Sequence, residues 1–281
     1  ILDRIHLMEI VLKVAIELQH NNPHSRKDSH RLSISYARLG GLNQQFGNYI
    51  DAQKYYKKCI KTTENLCSLI PDEDQDQYLQ DLSSIHDSMG RLLDQIGELK
   101  EAHRYYEKSI EIRQELTKYA FDSSTYSFQI SISYDNLGNI DFQRGNLRSA
   151  LKYFQKSIQI REGLIKDFPE SNEYDHGLNV SRSRLAEIYI RMYDYQTALT
   201  LLTKNLISRK DLSLRYPEAA DKMQDLANSI YSIGDLYLKI GDLKQACTYF
   251  HDSHRLFEEL RTRIPDSADY AQYFSISHNN L

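Results

Sequence analysis

The 281-residue chain contains no tryptophan, only three cysteines and only five prolines. Cys59, Cys67 and Cys247 are too few and too scattered for a disulfide framework, which fits a reducing compartment such as the cytoplasm. No apolar run approaches the roughly 18 residues needed to span a bilayer, and no secretory leader is visible at the start. Neither sign of charge dominates, since 35 basic and 39 acidic residues leave a net charge of −4. Phosphate binding needs a concentrated basic face, so this balance excludes nucleic acid as the main ligand. Neither a nucleic acid nor a membrane is expected as a partner.

The glycines that are present fall into a register. Gly40, Gly90, Gly138 and Gly234 are separated by 50, 48 and 96 residues, and Ala186 stands at the missing 48-residue step. Seven residues after each mark comes a second glycine, at Gly47, Gly97, Gly145 and Gly241, with Tyr193 as the exception. Pro23, Pro169 and Pro217 each stand 17 residues before a mark, Pro71 stands 19 before Gly90, and Pro265 continues the 48-residue step. Self-similarity at this period signals a stacked array of one supersecondary unit.

Each unit reads as two helices. In residues 171–218 one apolar stripe runs through Leu178, Leu185, Ile188 and Tyr189. It breaks at Tyr193-Asp194, and a second runs from Ala198 through Leu202 and Leu206 to Leu212. The turn glycine suits a left-handed helix end. Asn48, Asn146, Asp194 or Asp242 after it suits an N-cap, with Glu98 the weaker case. Helices of about 20 residues, roughly 30 Å long, follow. In the second helix Ala52, Ala102, Ala150, Ala198 and Ala246 share one register, and Leu66, Leu116, Leu164, Leu212 and Leu260 another. Tyr56, Tyr106, Phe154 and Phe250 stand four residues after the alanine, with Leu202 in the odd repeat, and read as wedges between neighbouring hairpins. Tyr78, Tyr126, Tyr174 and Tyr270 open the first helices.

Tyr134-x-x-Leu137-Gly138 followed by Gly145-x-Leu147-x-x-Ala150-x-x-x-Phe154 resembles the tetratricopeptide repeat. Tyr36, Leu39, Gly40, Gly47, Tyr49, Ala52 and Tyr56 match it again, as do Gly234, Tyr237, Gly241, Ala246 and Phe250. The 48-residue period is longer than the standard unit and is similar to kinesin-light-chain-like repeats. The resemblance implies an all-α fold, a right-handed superhelical solenoid of antiparallel helix hairpins, as one array over residues 1–281. Full repeats are expected at about 26–73, 74–123, 124–171, 172–219 and 220–267, with partial repeats at 1–25 and 268–281. Both ends read as interrupted: Met8–Pro23 resembles a second helix without its first, and Phe274–Leu281 parallels Ile130–Leu137. A piece of a longer protein is therefore expected.

In such repeats the first helices line a concave groove that holds a peptide or a partner helix. Carried onto this register, those positions are Arg38 and Gln45; Asp87, Arg91 and Asp94; and Asp135, Asn136, Asn139 and Gln143. The fourth repeat supplies Arg184, Glu187 and Arg191, and the fifth Tyr231, Asp235 and Lys239. Arg182, Arg184, Arg191, Lys204, Arg209 and Lys210 also concentrate basic charge in the fourth repeat; that charge either meets an acidic partner or pairs locally with Glu187 and Asp211. The lysine–asparagine carboxylate clamp of chaperone-binding relatives has no counterpart here.

No catalytic constellation, metal centre or cofactor site is expected. His251, His254 and Glu258 share a helix face but have no further ligand at fixed spacing. Cys59 occupies a register otherwise held by Ser109, Ser157 and Ser253, which marks a small packing position. The expected function is a non-enzymatic scaffold for a protein or peptide ligand. Its alternative is a sensor or autoinhibitory arm of a larger signalling protein, with an NTPase or caspase-like domain elsewhere. Self-association through the end hairpins is a further expectation.

Overall fold

The computed structural model describes residues 2–69, 75–119, 123–265, 267, 272 and 275. Pro71, Tyr270 and the Phe274–Leu281 parallel lie outside them. Eleven α-helices and no strand occur among the described residues. They are α1 (Leu2–Asn21), α2 (Arg26–Gln45), α3 (Tyr49–Ser68), α4 (Asp76–Gln95), α5 (Leu99–Tyr119), α6 (Ser124–Gln143), α7 (Leu147–Asp167), α8 (Asn172–Arg191), α9 (Tyr195–Arg215), α10 (Ala220–Ile240) and α11 (Leu243–Arg263). The even-numbered members from α2 to α10 are first helices of a hairpin and the odd-numbered ones from α3 to α11 are second helices.

The chain divides into two compact units, Ile1–Ile160 and Arg161–Leu281. In the first, Leu39, Met89, Leu92, Leu137 and Ile140 form the centre of the core with Ala52 and Ala102. The second has one cluster around Ala186, Ala198, Leu202, Ile233 and Leu236, and another around Met223, Ala227, Phe257 and Leu260.

The inner turns follow the chemistry of the glycines. Gly47, Gly97, Gly145 and Gly241 have φ of +78°, +85°, +78° and +90°. The following amide closes each turn: Asn48 N donates to Asn43 O at 2.8 Å, and Glu98, Asn146 and Asp242 repeat the pattern. Tyr193 takes the same left-handed conformation at φ +61°, with Asp194 N donating to Tyr189 O. Asp194 and Asp242 cap the second helices, accepting from the amides of Thr197 and Gln245. Asn48 does not: its Nδ2 donates to Asn43 Oδ1 instead, and Asn146 donates likewise to Asp141. An amide can give a proton to the acceptor five residues back, which a carboxylate cannot.

The aromatic register works differently from a wedge between hairpins. Each ring lies on the register glycine of its own hairpin. A Cβ added at Gly90 would stand 2.9 Å from Tyr106, one at Gly138 2.7 Å from Phe154, and one at Gly234 2.9 Å from Phe250; Gly40 faces Tyr56 in the same way. The exception has the matching partner: where the mark is Ala186, the residue facing it in the core is Leu202.

A second register ties successive hairpins. Arg113, Arg161 and Arg209 are 48 residues apart, as are Ser133, Ser181 and Ser229. Arg113 Nη1 donates to Ser109 Oγ at 2.8 Å and Ser133 Oγ at 3.0 Å. Arg161 donates to Gly177 O and Ser181 Oγ, and Arg209 to Asp225 O and Ser229 Oγ. A guanidinium carries enough donors to join a neighbouring helix's carbonyl and hydroxyl at once, which makes its burial tolerable.

Candidate groove on the first helices

In the first unit α2 and α4 border a cleft of about 750 Å³. Its lining includes Arg38, Gly41, Gln44 and Gln45 from α2, Asp81, Ser88, Arg91 and Gln95 from α4, and Tyr49, Tyr56 and Cys59 from α3. Amides and phenols run across it in a chain. Tyr56 Oη donates to Gln44 Oε1 at 2.8 Å, Gln44 Nε2 to Gln95 Oε1 at 3.2 Å, and Gln95 Nε2 to Tyr49 Oη at 3.1 Å. Burial raises the Tyr56 phenol pKa, with the Arg91 charge acting against it.

Charge in the cleft is unevenly balanced. Asp81 is held by His30 Nε2 at 2.7 Å. Arg91 Nη2 reaches the Ser88 hydroxyl at 3.1 Å but no carboxylate, and exposed Arg38 has no partner among the described residues. Burial pushes the Cys59 thiol up to about 12, so it lines the cleft as an inert small residue.

The other expected groove residues divide by environment. Asp94 and Gln143 are brought together, α4 to α6; burial raises the Asp94 carboxyl while the Gln143 hydrogen bond opposes it. Asp135, Asn136 and Asn139 are half-buried on α6. Asp87 does not face open surface: it is buried and pairs with Arg113 Nη1 at 2.6 Å, while Ser133 Oγ donates to its Oδ1. A carboxylate one turn before the register mark turns inward to the buried arginine of its own hairpin, and the Ser133 hydroxyl of the next one joins them.

In the second unit Arg184, Glu187, Tyr231 and Asp235 line one cleft of about 390 Å³. Its charges are partly paired, with two arginines sharing one glutamate. Arg184 and Arg191 both reach Glu187, at 3.3 and 3.7 Å, and Lys239 pairs with Asp235. Of the basic residues of the fourth repeat, Arg184 and Arg191 pair with Glu187, Arg182 reaches Glu162 and half-buried Arg209 bonds to the carbonyl of Asp225, while Lys204 and Lys210 are exposed and Asp211 pairs with Arg215 rather than with the cluster. Sequence reasoning missed Gln44, Gln95 and Ser88. Gln95 was accessible, because it shares its register with Gln45 and Gln143.

Family profiles described as tetratricopeptide repeat match residues 87–118 and 132–170 in one case and 34–65 and 227–252 in another. The chain carries tetratricopeptide repeats. The structure of BtubC (BKLC) from P. vanneervenii is similar at a TM-score of 0.68 and 18% identity, covering 94% of this chain and 91% of that one. A Podosopora anserina putative kinesin light chain with nearly identical TPR-like repeats follows at 0.60 and 15%, covering 85% and 98%. A STAND protein with a tetratricopeptide repeat sensor, PH0952 from Pyrococcus horikoshii, gives 0.59 and 17%, with 97% of this chain on 37% of that one. Among curated proteins none matches by sequence. Two further features bear on the function of the repeats. Among the described residues no three His, Cys, Asp or Glu side chains converge as a metal set, and no helix is long and apolar enough to cross a membrane.

Proposed function

We propose that this tetratricopeptide-repeat array is a non-enzymatic interaction scaffold whose first-helix faces hold a peptide or helix of a partner protein. The observation that carries the reading is the α2–α4 cleft. It joins half-buried apolar surface to exposed arginines that reach no carboxylate of this chain, so an incoming partner pairs with them without breaking an existing ion pair. Placing a photo-crosslinking residue at Gln45, or at the exposed Lys57 of α3, tests it. A partner identified through Gln45 and not through Lys57 supports the reading; crosslinks only through Lys57 move recognition to the second helices and reject it.

A second reading has one observation in its favour. Nearly the whole chain aligns on 37% of a STAND protein with a tetratricopeptide repeat sensor. On that reading the array is the sensing arm of a larger signalling protein. The reading frame containing this chain decides it: a fused nucleotide-binding or protease domain supports the arm, and its absence refutes it.

A further inference from the structure

The α8–α9 hairpin is closed by weaker contacts than its neighbours. Its turn carries Tyr193 at φ +61°, where the other turns carry glycine, and a left-handed backbone is costly for a residue with a side chain. Its mark is Ala186 facing Leu202 rather than glycine under a ring. Two apolar side chains of α9 are buried, Ala198 and Leu202, whereas α11 buries Ala246, Phe250, Phe257 and Leu260. Leu212 is half-buried, although the leucines at its register in the other hairpins are buried. A polar seam takes the place of apolar contact: Asn205 Nδ2 donates to Asn179 O at 2.8 Å and to Ser183 Oγ at 2.9 Å, and Ser208 Oγ donates to Asp175. Ser183 also stands at the register of Asp87, the carboxylate that holds Arg113. Arg209 is left with the carbonyl of Asp225 and the hydroxyl of Ser229, and with no ion pair among the described residues.

We propose that the α8–α9 hairpin is a conformational joint built into the array: α9 releases from α8 as a unit while α10 and α11 stay paired. Local opening selects the segment with the fewest buried apolar contacts. Stacked repeats otherwise open first where a hairpin has one neighbour rather than two. Among the described residues α8–α9 is flanked by hairpins on both sides in chain order and α10–α11 on one, so the internal opening reverses the usual order. Gly234 under Phe250 and Gly241 at the turn close α10–α11 in the ordinary way of this chain. The joint reaches the surface of the second unit. Leu202 and Arg209 of α9 line the same cleft as Glu187 of α8 and Asp235 of α10, so release of α9 takes away one wall of it. A ligand seated there holds the joint closed to the extent that it prefers the closed state. The inference is independent of the α2–α4 cleft and goes beyond the scaffold reading.

Native-state hydrogen exchange of the 281-residue chain, in urea below the unfolding transition, tests it. Amides of α9 and of the last turns of α8 should exchange together, at least about tenfold faster than those of α4–α5 and α10–α11, the factor that a left-handed side-chain residue alone supplies. Their urea dependence should be smaller than that of global unfolding, because less surface is exposed. Tyr193→Gly puts at this turn the residue found at the others, and should slow α8 and α9 exchange about tenfold while leaving α4–α5 unchanged. Ser183→Asp with Asn205→Ser reproduces the Asp87, Ser109 and Arg113 set and should slow it by a similar factor. If that pair fails to fold, Tyr193→Gly decides alone. Exchange of α10–α11 before or together with α9, exchange of all hairpins in one global step, or no slowing in Tyr193→Gly would overturn the proposal.

Discussion

Replacing Gly138 by alanine should destabilise the α6–α7 hairpin, although alanine is the better helix former. The substitution gains about 1 kcal/mol of helix propensity. Against this, the new Cβ would stand 2.7 Å from Cε2 of Phe154 and 2.9 Å from two further ring carbons, and the ring is buried at 1% exposure, without room to retreat. Overpacking of that kind costs about 1–3 kcal/mol, so the net loss is about 1 kcal/mol. Phe154→Leu alone should cost about 1–2 kcal/mol through lost contact area and a residual cavity. Together the two changes should cost less than either sum implies, about 0–1 kcal/mol, because the smaller side chain vacates the space that the Cβ needs. The fourth repeat already holds that combination, Ala186 with Leu202. Repeat arrays need not unfold in one step, so local stability should be read from hydrogen exchange of the α6 and α7 amides in all four members of the cycle. Additivity within about 0.5 kcal/mol would refute the ring-on-glycine account.

Three other predictions follow from the core and the turns. Asp87→Ala strands the Arg113 guanidinium, whose side chain is 3% exposed, and should cost about 3–5 kcal/mol by urea denaturation; the Asp87→Leu, Arg113→Met pair should recover most of it, and failure to recover would argue against the ion pair as cause. Burial, with the Lys108 charge adding to it, holds the His86 imidazole down to about 4. The unfolded chain therefore takes the proton first: the contribution of neutral His86 is full above about pH 6.5 and is lost as pH falls towards 4, on the order of 3 kcal/mol. His86→Tyr, the residue found at the same register in Tyr36 and Tyr134, should flatten the thermal midpoint over that range, and an unchanged slope would contradict the assignment. Gly47→Ala should cost about 1–2 kcal/mol through its φ of +78° alone, since nothing lies within 4 Å of the added Cβ, and calorimetry showing no loss would count against the left-handed turn.

The hairpins were legible because each helix end is written in residues with a backbone consequence: the turn glycines, and the caps Asp194 and Asp242. The aromatic register was visible but its target was not, because spacing along a helix gives a face and not the partner across it; only the steric space around Gly138 and Ala186 shows that the ring belongs to its own hairpin. The buried arginines were overlooked although their 48-residue spacing is plain, since charged residues are ordinarily assigned to surface. For the same reason Asp87 was expected in the groove. Arg38 and Arg91 were legible as groove positions, but the value of their lack of partners depends on where Asp81 and Ser88 point, which no register conveys.

The central claim is that recognition runs through the α2–α4 cleft, and isoleucine methyl NMR tests it most directly. Ile34 and Ile85 line the cleft, while Ile50, at 86% exposure, and Ile207, at 65%, lie outside both clefts. Titration with the partner segment identified by crosslinking through Gln45 should shift the Ile34 and Ile85 methyl resonances together and leave those of Ile50 and Ile207 in place. Shifts at Ile50 or Ile207 with Ile34 and Ile85 unmoved would contradict the account.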